Sequence, residues 1–493
     1  MSYRYLTAEQ AAELIQDGEY IGVSGLTPAG AAKVVPAAIA ARAEKEHAAG
    51  RSFRIHLMSG GSTNQAVDGA LANAHALASR LPFQSNADLR SHINSGEIKY
   101  TDMHLSVITQ NMRYGHIPKV QTAIVEVCEV TEDGELTFTT SSSNNAGFCL
   151  LADRIILELN RYHKPILKEL HDIYVPQDYP ERRAIDIYRP WHRIGTQTLK
   201  VDPAKIVGIV ETNLPDGVKP FKEGTSVTEQ IGRNIVSFLE KEYLSGRIPQ
   251  DFPPVQSGIG NVANAVLSAI ENSSIIPPIS MYTEVLQDTA VKLIQKGRCK
   301  FASSSTITAT EPLMQDIYEH FDFYRDKILL RPTEITNNPE VVRRLGVISM
   351  NTAIEADVFG NVNSSHFYGT QMMNGIGGSC DFARAAGLAV FSCPSVAKNG
   401  CISSIVPMVS HTDQTEHDVD VIVTEQGVSD LRGLCPRDRA ECIIENCAHP
   451  DYRPLLQHYL TSSKGGHTPL NLNTSFAFHQ AYLRTGDMRN AQL

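Results

Sequence analysis

No apolar run in this 493-residue chain approaches the roughly 18 residues a membrane-spanning helix needs, so the sequence sets a spanning protein aside and the expectation is a soluble one. Basic residues are in the minority, 44 Lys and Arg against 54 Asp and Glu. The net charge of -10 argues against a nucleic-acid surface and gives no basic run for an anionic membrane. Any phosphate contact must then come from local positive groups. The nine cysteines include no C-x-x-C pair and no zinc-like grouping, the pattern of reduced, mostly buried thiols in a cytoplasmic protein without a metal site. No targeting segment is expected either. Thr7-Ala8-Glu9-Gln10 already reads as the capping box of a helix through Leu14 and Ile15, which leaves no room for a signal or transit peptide.

Missing motifs exclude further chemistry. There is no G-x-S-x-G elbow, and Ser59-Gly60-Gly61-Ser62 has no partner histidine near it in sequence, so serine hydrolysis finds little support. None of the cysteines stands in a nucleophile signature. His411 and His417 are not spaced as a helical zinc motif and no third histidine follows, so a solvated loop is the better reading.

What is present is a 42% hydrophobic, 20% charged globular composition on a chain too long for one ordinary core. From Tyr20, short apolar runs alternate with helical stretches: strands are expected at residues 21–24, 55–59, 122–127, 154–159 and 205–210, and helices at 31–41 and 66–77. This alternation is that of βαβ units on a mostly parallel sheet, and the Ile- and Val-rich runs are those of strands covered on both faces. Residues 172–193, with three prolines and Trp191, read as a surface excursion. The turn-rich stretch from Asn213 to Pro220 reads as a linker. An amphipathic helix then starts near Ser226, and further strands are expected at 279–285, 347–349, 388–391 and 419–424, with a hairpin at 356–363. The expected organisation is an α/β chain with an N-terminal domain at 1–212, a linker at 213–225 and a second domain of the same kind at 226–493.

The candidate chemistry centres on Met281-Tyr282-Thr283-Glu284-Val285-Leu286-Gln287-Asp288, which reads as an apolar strand closed by a carboxylate and opening straight into a helix. At the carboxyl edge of an open α/β sheet such a carboxylate meets ligand, although helix capping alone also favours an acid there. Two glycine loops flank it, Gly258-Ile259-Gly260-Asn261-Val262-Ala263 and Asn374-Gly375-Ile376-Gly377-Gly378-Ser379, each with backbone amides free to face an anion. The first fits a dinucleotide fingerprint, with Glu284 about where a ribose-binding acid belongs. Against that nicotinamide reading, Pro249 to Gln256 carries prolines that make a poor central strand. Alternatively, Glu284 is an ionised carboxylate that attacks a thioester carbonyl, with Gly375 to Gly378 supplying oxyanion donors. In Asn337-Asn338-Pro339-Glu340, a turn and helix cap occupy one asparagine and leave the other free. Lys398 could neutralise a phosphate, but an exposed turn lysine is the commoner case.

Taken together, Gly22-Val23-Ser24-Gly25-Leu26-Thr27-Pro28-Ala29-Gly30, Tyr282-Thr283-Glu284-Val285, Asn374-Gly375-Ile376-Gly377-Gly378 and Thr424-Glu425-Gln426-Gly427-Val428-Ser429-Asp430-Leu431-Arg432-Gly433 resemble the acetyl-CoA hydrolase/transferase family. The resemblance is nearest to its succinyl-CoA:acetate CoA-transferases, and it runs in consistent order from about Ser24 to Pro454. It implies a class I CoA-transferase with two tandem NagB/RpiA/CoA-transferase-like domains, usually a homodimer, with CoA as substrate, no tightly bound cofactor and no metal. Residue by residue, it implies that Glu284 is the nucleophile that becomes a glutamyl-CoA thioester and that Gly378 serves the oxyanion hole. It gives Asn337 the orientation of CoA near the thioester. Ile259, Gly260, Asn261, Val262, Ala263, Asn374 and Lys398 are implied as CoA contacts. The family's common Phe in the first motif is Leu26 here, which bears on the acyl pocket. The implied reaction is ping-pong exchange of CoA between an acyl-CoA and a short carboxylate. If water reaches either activated glutamyl species, the outcome is hydrolysis.

Overall fold

The computed structural model describes residues 3–220 and 224–493. Two mostly parallel sheets organise the chain, and both follow one plan. In the first, Tyr20–Val23 takes the middle; Ile55–Ser59, Leu77–Leu81 and Lys99–Tyr100 follow outward on one side, and Thr122–Val130, Arg154–Asn160 and Ile206–Thr212 on the other, all parallel. Glu135–Phe138 and Leu199–Lys200 add antiparallel pairings. In the second, Val255–Ser257 is central; Ile279–Tyr282, Cys299–Ser304 and Ile328–Leu330 lie on one side and Ile348–Thr352, Leu388–Ser392 and Val421–Thr424 on the other, with Gly427–Asp430 folded back antiparallel at the edge. The two halves thus share one strand order, a likeness that no sequence repeat reveals. In each, the chain leaves the central strand in one direction and returns to its other flank. That reversal opens a crevice at the strands' carboxyl ends.

Local chemistry explains where the helices begin. Val34–Ala48 starts later than residue 31 because Glu158, on a neighbouring strand, supplies the cap: its carboxylate accepts the Lys33, Val34 and Val35 amides at 2.7, 2.9 and 2.7 Å. Burial pushes the Glu158 carboxyl up to about 7. Ser226–Leu244 begins at the Thr225/Thr228 capping box and buries Ile231, Ile235, Val236 and Leu239 at helical spacing. It lies so close to helix Asn261–Asn272 that a Cβ on Gly232 would meet the Ala265 carbonyl oxygen at 2.8 Å. No helix among the described residues is long and apolar enough to cross a membrane.

Several expectations change. Residues 66–77 are not one helix: a π-turn at Gln65–Gly69 and a short helix Ala70–Asn73 end where His75 takes a left-handed φ of 54°, and Leu77 already belongs to a strand. Glu284 does not open straight into a helix. Val285–Gln287 forms a short strand against Thr306–Thr308, and the helix starts at Asp288. The prolines before residue 255 do not prevent a central strand, because they precede it and Pro254 still accepts the Ile348 amide at 2.9 Å through its carbonyl. Residues 172–193 are not merely superficial. Asp172 is buried in an ion pair with Arg331, and Ile185 and Ile187 pack in one cluster with Tyr282, two residues before Glu284. The hairpin reading holds, with Glu355–Asp357 antiparallel to Val362–Asn363. The expected linker extends over residues 221–223, which lie outside the described residues.

Candidate active site

The crevices of both sheets open onto one cavity of about 1170 Å³. The N-terminal half contributes the loops after its strands, including Leu26 to Pro28, Ser62 to Ala66 and Phe83, together with the segment from Leu214 to Lys219. From the C-terminal half come Gly258 and Ile259, Glu284, Asn351 to Ile354 and the loop from Met373 to Ser379. Apart from the loop from Met373 to Ser379, which follows the separate hairpin His366–Phe367/Gln371–Met372, each of these lies at a main-sheet strand's carboxyl end or joins the halves, so the reversal in strand order places most of the cavity.

Glu284 stands at the bend between Ile279–Tyr282 and Val285–Gln287. Its backbone carbonyl is fixed by the Ser305 amide at 3.0 Å and the Ser304 hydroxyl at 2.9 Å. The side chain receives a short hydrogen bond from Asn337 Nδ2 at Oε2, and a Cβ on Gly378 would overlap that same oxygen and come within 2.5 Å of Asn337 Nδ2. A side chain at residue 378 would therefore push the Glu284 carboxylate and the Asn337 amide out of this arrangement. Burial pushes the Glu284 carboxyl up to about 7, a rise that the Asn337 hydrogen bond opposes and the negative Asp381 reinforces. The adjacent Asn338 caps Pro339–Leu345 by accepting the Glu340 amide, so of the two asparagines it is Asn337 that is left free to reach the glutamate.

The structure brings Ile259, Asn374 and Gly378 to the cavity wall with Glu284. Gly260, at φ 113°, turns the chain into helix Asn261–Asn272, whose first turn is Asn261, Val262 and Ala263. The first amides of that turn have no acceptor within the helix and suit an anion. Lys398 is not brought to the wall; it sits exposed at the tip of the hairpin Val396–Ala397/Ile402–Ser403.

Sequence reasoning missed a buried charged group on the cavity wall itself, Lys33 with Asp216. Asp216, in the joining segment, accepts the Gly30 amide and Lys33 Nζ, each at 3.2 Å, and the Thr140 hydroxyl at 2.5 Å. Lys33 also pairs with Glu126. Burial works against the Lys33 charge, but Glu126 and Asp216 outweigh it and raise its pKa. Asp216 and Lys33 lie 183 positions apart and carry no local signature. Glu126, His163 and Asp216 converge closely enough to suggest a metal site, but the Lys33 ammonium already sits against both carboxylates.

A 4-hydroxybutyrate CoA-transferase from Porphyromonas gingivalis superposes with a TM-score of 0.63 at 22% identity, covering 92% of this chain and 96% of that one. RipA from Yersinia pestis superposes with a TM-score of 0.70 at 20% identity over the same shares. The fold is that of the CoA-transferases. The sequence narrows this further: the models of the acetyl-CoA hydrolase/transferase N-terminal and C-terminal domains match residues 2–211 and 314–460. A propanoyl-CoA:succinate CoA transferase of Escherichia coli is 44% identical over 98% of each chain. A succinyl-CoA:acetate CoA-transferase of Clostridium kluyveri is 46% identical over 99% of this chain and 90% of its own. The chain belongs to the acetyl-CoA hydrolase/transferase family and is an enzyme of CoA thioesters.

Proposed function

We propose that this enzyme transfers CoA between an acyl-CoA and a short-chain carboxylate, with succinyl-CoA and acetate as the pair to test first. The observation that carries the reading is Glu284, held by Asn337 against Gly378 on the wall of a cavity built by both halves. The ionised carboxylate attacks the thioester carbonyl and expels CoA thiolate, leaving an acyl-glutamyl anhydride. The thiolate then attacks the glutamyl carbonyl of the anhydride. The acid leaves, and a glutamyl-CoA thioester remains. An incoming carboxylate attacks that thioester, and the returning thiolate collects the new acyl group. In this reading Asn337 orients the carboxylate and the Gly378 amide is assigned to donate to the oxygen on which negative charge develops. The substrate pair is supported by the relatives named for succinyl-CoA, acetate and succinate.

Hydrolysis is the second reading, because the family includes hydrolases and the same glutamyl species fall to water. Membership of this family leaves the nicotinamide reading without support, although the loop of residues 258–263 does lie between a central strand and a helix. The test is to incubate the enzyme with succinyl-CoA, with and without acetate, and to follow acetyl-CoA and free CoA. Acetyl-CoA formation that depends on acetate and vanishes in Glu284→Ala is the expected result. Release of free CoA at the same rate without acetate makes the enzyme a hydrolase instead.

A further inference from the structure

The glycine loop bearing Gly378 belongs to the C-terminal half, yet the N-terminal half holds it in place. The Ile376 amide donates to both carboxylate oxygens of Asp102, at 3.0 and 2.8 Å. The exchange is returned a few residues further on. Asp381, in the short helix Ser379–Ala383 that follows the loop, accepts the Ser106 amide at 3.0 Å and the Ser106 hydroxyl at 2.6 Å. Two stretches about 275 positions apart are thus clasped by reciprocal bonds from carboxylate to amide, on either side of Gly378. The packing leaves little slack. A Cβ on Gly375 would overlap the Tyr100 hydroxyl and sit 2.5 Å from Asp102 Oδ1, and one on Gly377 would lie 3.4 Å from the Phe83 ring. The Tyr100 hydroxyl is itself anchored on the Pro82 carbonyl at 3.0 Å. Withdrawing carboxylates from water is costly, and here they face backbone amides and hydroxyls at close range, which fixes a backbone more sharply than apolar packing does.

We propose that Asp102 and Ser106 are positioning residues for the reaction: they hold the backbone of the 376–378 loop so that the Gly378 amide faces the acyl oxygen while Glu284 reacts. The inference rests on Glu284 as the nucleophile. On this account the N-terminal half supplies the orientation of the oxyanion donor as well as cavity wall, and a shift of about 1 Å in the loop costs rate without costing CoA affinity.

The test compares Asp102→Ala, Asp102→Asn and Ser106→Ala with the unaltered enzyme. It reads single-turnover formation of the CoA adduct on Glu284 after mixing with succinyl-CoA, kcat and KM, CoA binding by calorimetry, and Tm. Asp102→Ala is expected to slow adduct formation about 100-fold, with CoA binding held within about 3-fold. Asp102→Asn, whose amide oxygen can still accept from Ile376, should recover to within about 10-fold of the unaltered rate, and Ser106→Ala should lose about 5-fold in the same step. Unchanged adduct formation in Asp102→Ala overturns the proposal. So does a loss shared equally by rate, CoA binding and Tm in both Asp102 variants, which describes a structural tie. If the unaltered enzyme turns over without any adduct on Glu284, the nucleophile reading itself fails and the proposal falls with it.

Discussion

Glu284 must attack as a carboxylate yet sits where water is scarce, and its titration carries both demands. Burial raises its pKa from an ordinary 4.5 to about 7, so the reactive ionised fraction, and with it the single-turnover rate, should grow as pH rises through 7. A pH–rate profile already flat from pH 5 would contradict this. Stability runs the other way. The folded state holds this proton to a higher pH than the unfolded chain does, so ionisation destabilises the fold progressively from about pH 4.5 to 7, and the cost is complete above 7. Glu284→Gln keeps the size and an acceptor for Asn337 without the charge; it should be inactive and more stable by about 2–4 kcal/mol at pH 8, with no gain at pH 4. Thermal unfolding at both pH values checks this, and equal stability at pH 8 would refute it. At this scale the sequence was legible where a residue had a local duty to be excluded: a turn and cap accounted for one of the pair Asn337-Asn338, and the structure shows that the capping residue is Asn338. Asp102, Asp216 and Lys33 were illegible, since each acts through partners more than 180 positions away or in the other half.

Helices were read best where one face is apolar at helical spacing, and strands where an Ile- and Val-rich run is buried on both faces. Ser226–Leu244 announced itself by the spacing of its apolar residues, while Val34–Ala48 was placed too early because its cap comes from Glu158 on another strand. Glu158→Ala strips three amide bonds from that helix end and is expected to cost about 1–3 kcal/mol, measured by urea unfolding. A variant as stable as the parent would show that water replaces the cap without loss. Short elements were missed for a related reason. Val285–Gln287 is a strand only because Thr306–Thr308 lies beside it, which no local propensity reports. The central Val255–Ser257 was discounted for prolines that its own residues do not contain.

At the scale of the whole molecule, two α/β units were visible in the alternation of elements, but not that their crevices share one cavity. That depends on contacts between the halves: the Ser142 amide donates to the Ser305 carbonyl at 3.0 Å, the Ile307 amide to the Thr140 carbonyl at 2.9 Å, and Asp172 pairs with Arg331 in full burial. Asp172→Ala leaves the Arg331 guanidinium buried beside only backbone carbonyls and the Ser303 hydroxyl, and is expected to destabilise the protein by about 3–5 kcal/mol. Calorimetry should show the loss as a lowered Tm; an unchanged Tm would mean that the halves are held together without this pair.

The central claim is that Glu284 carries CoA covalently during turnover. Intact-protein mass spectrometry of the enzyme mixed with succinyl-CoA in the absence of acceptor, followed by peptide mapping, tests it most directly. The account predicts a CoA adduct on the peptide containing Glu284 that disappears when acetate is added. Turnover with no adduct there, or an adduct mapped to another residue, would contradict it.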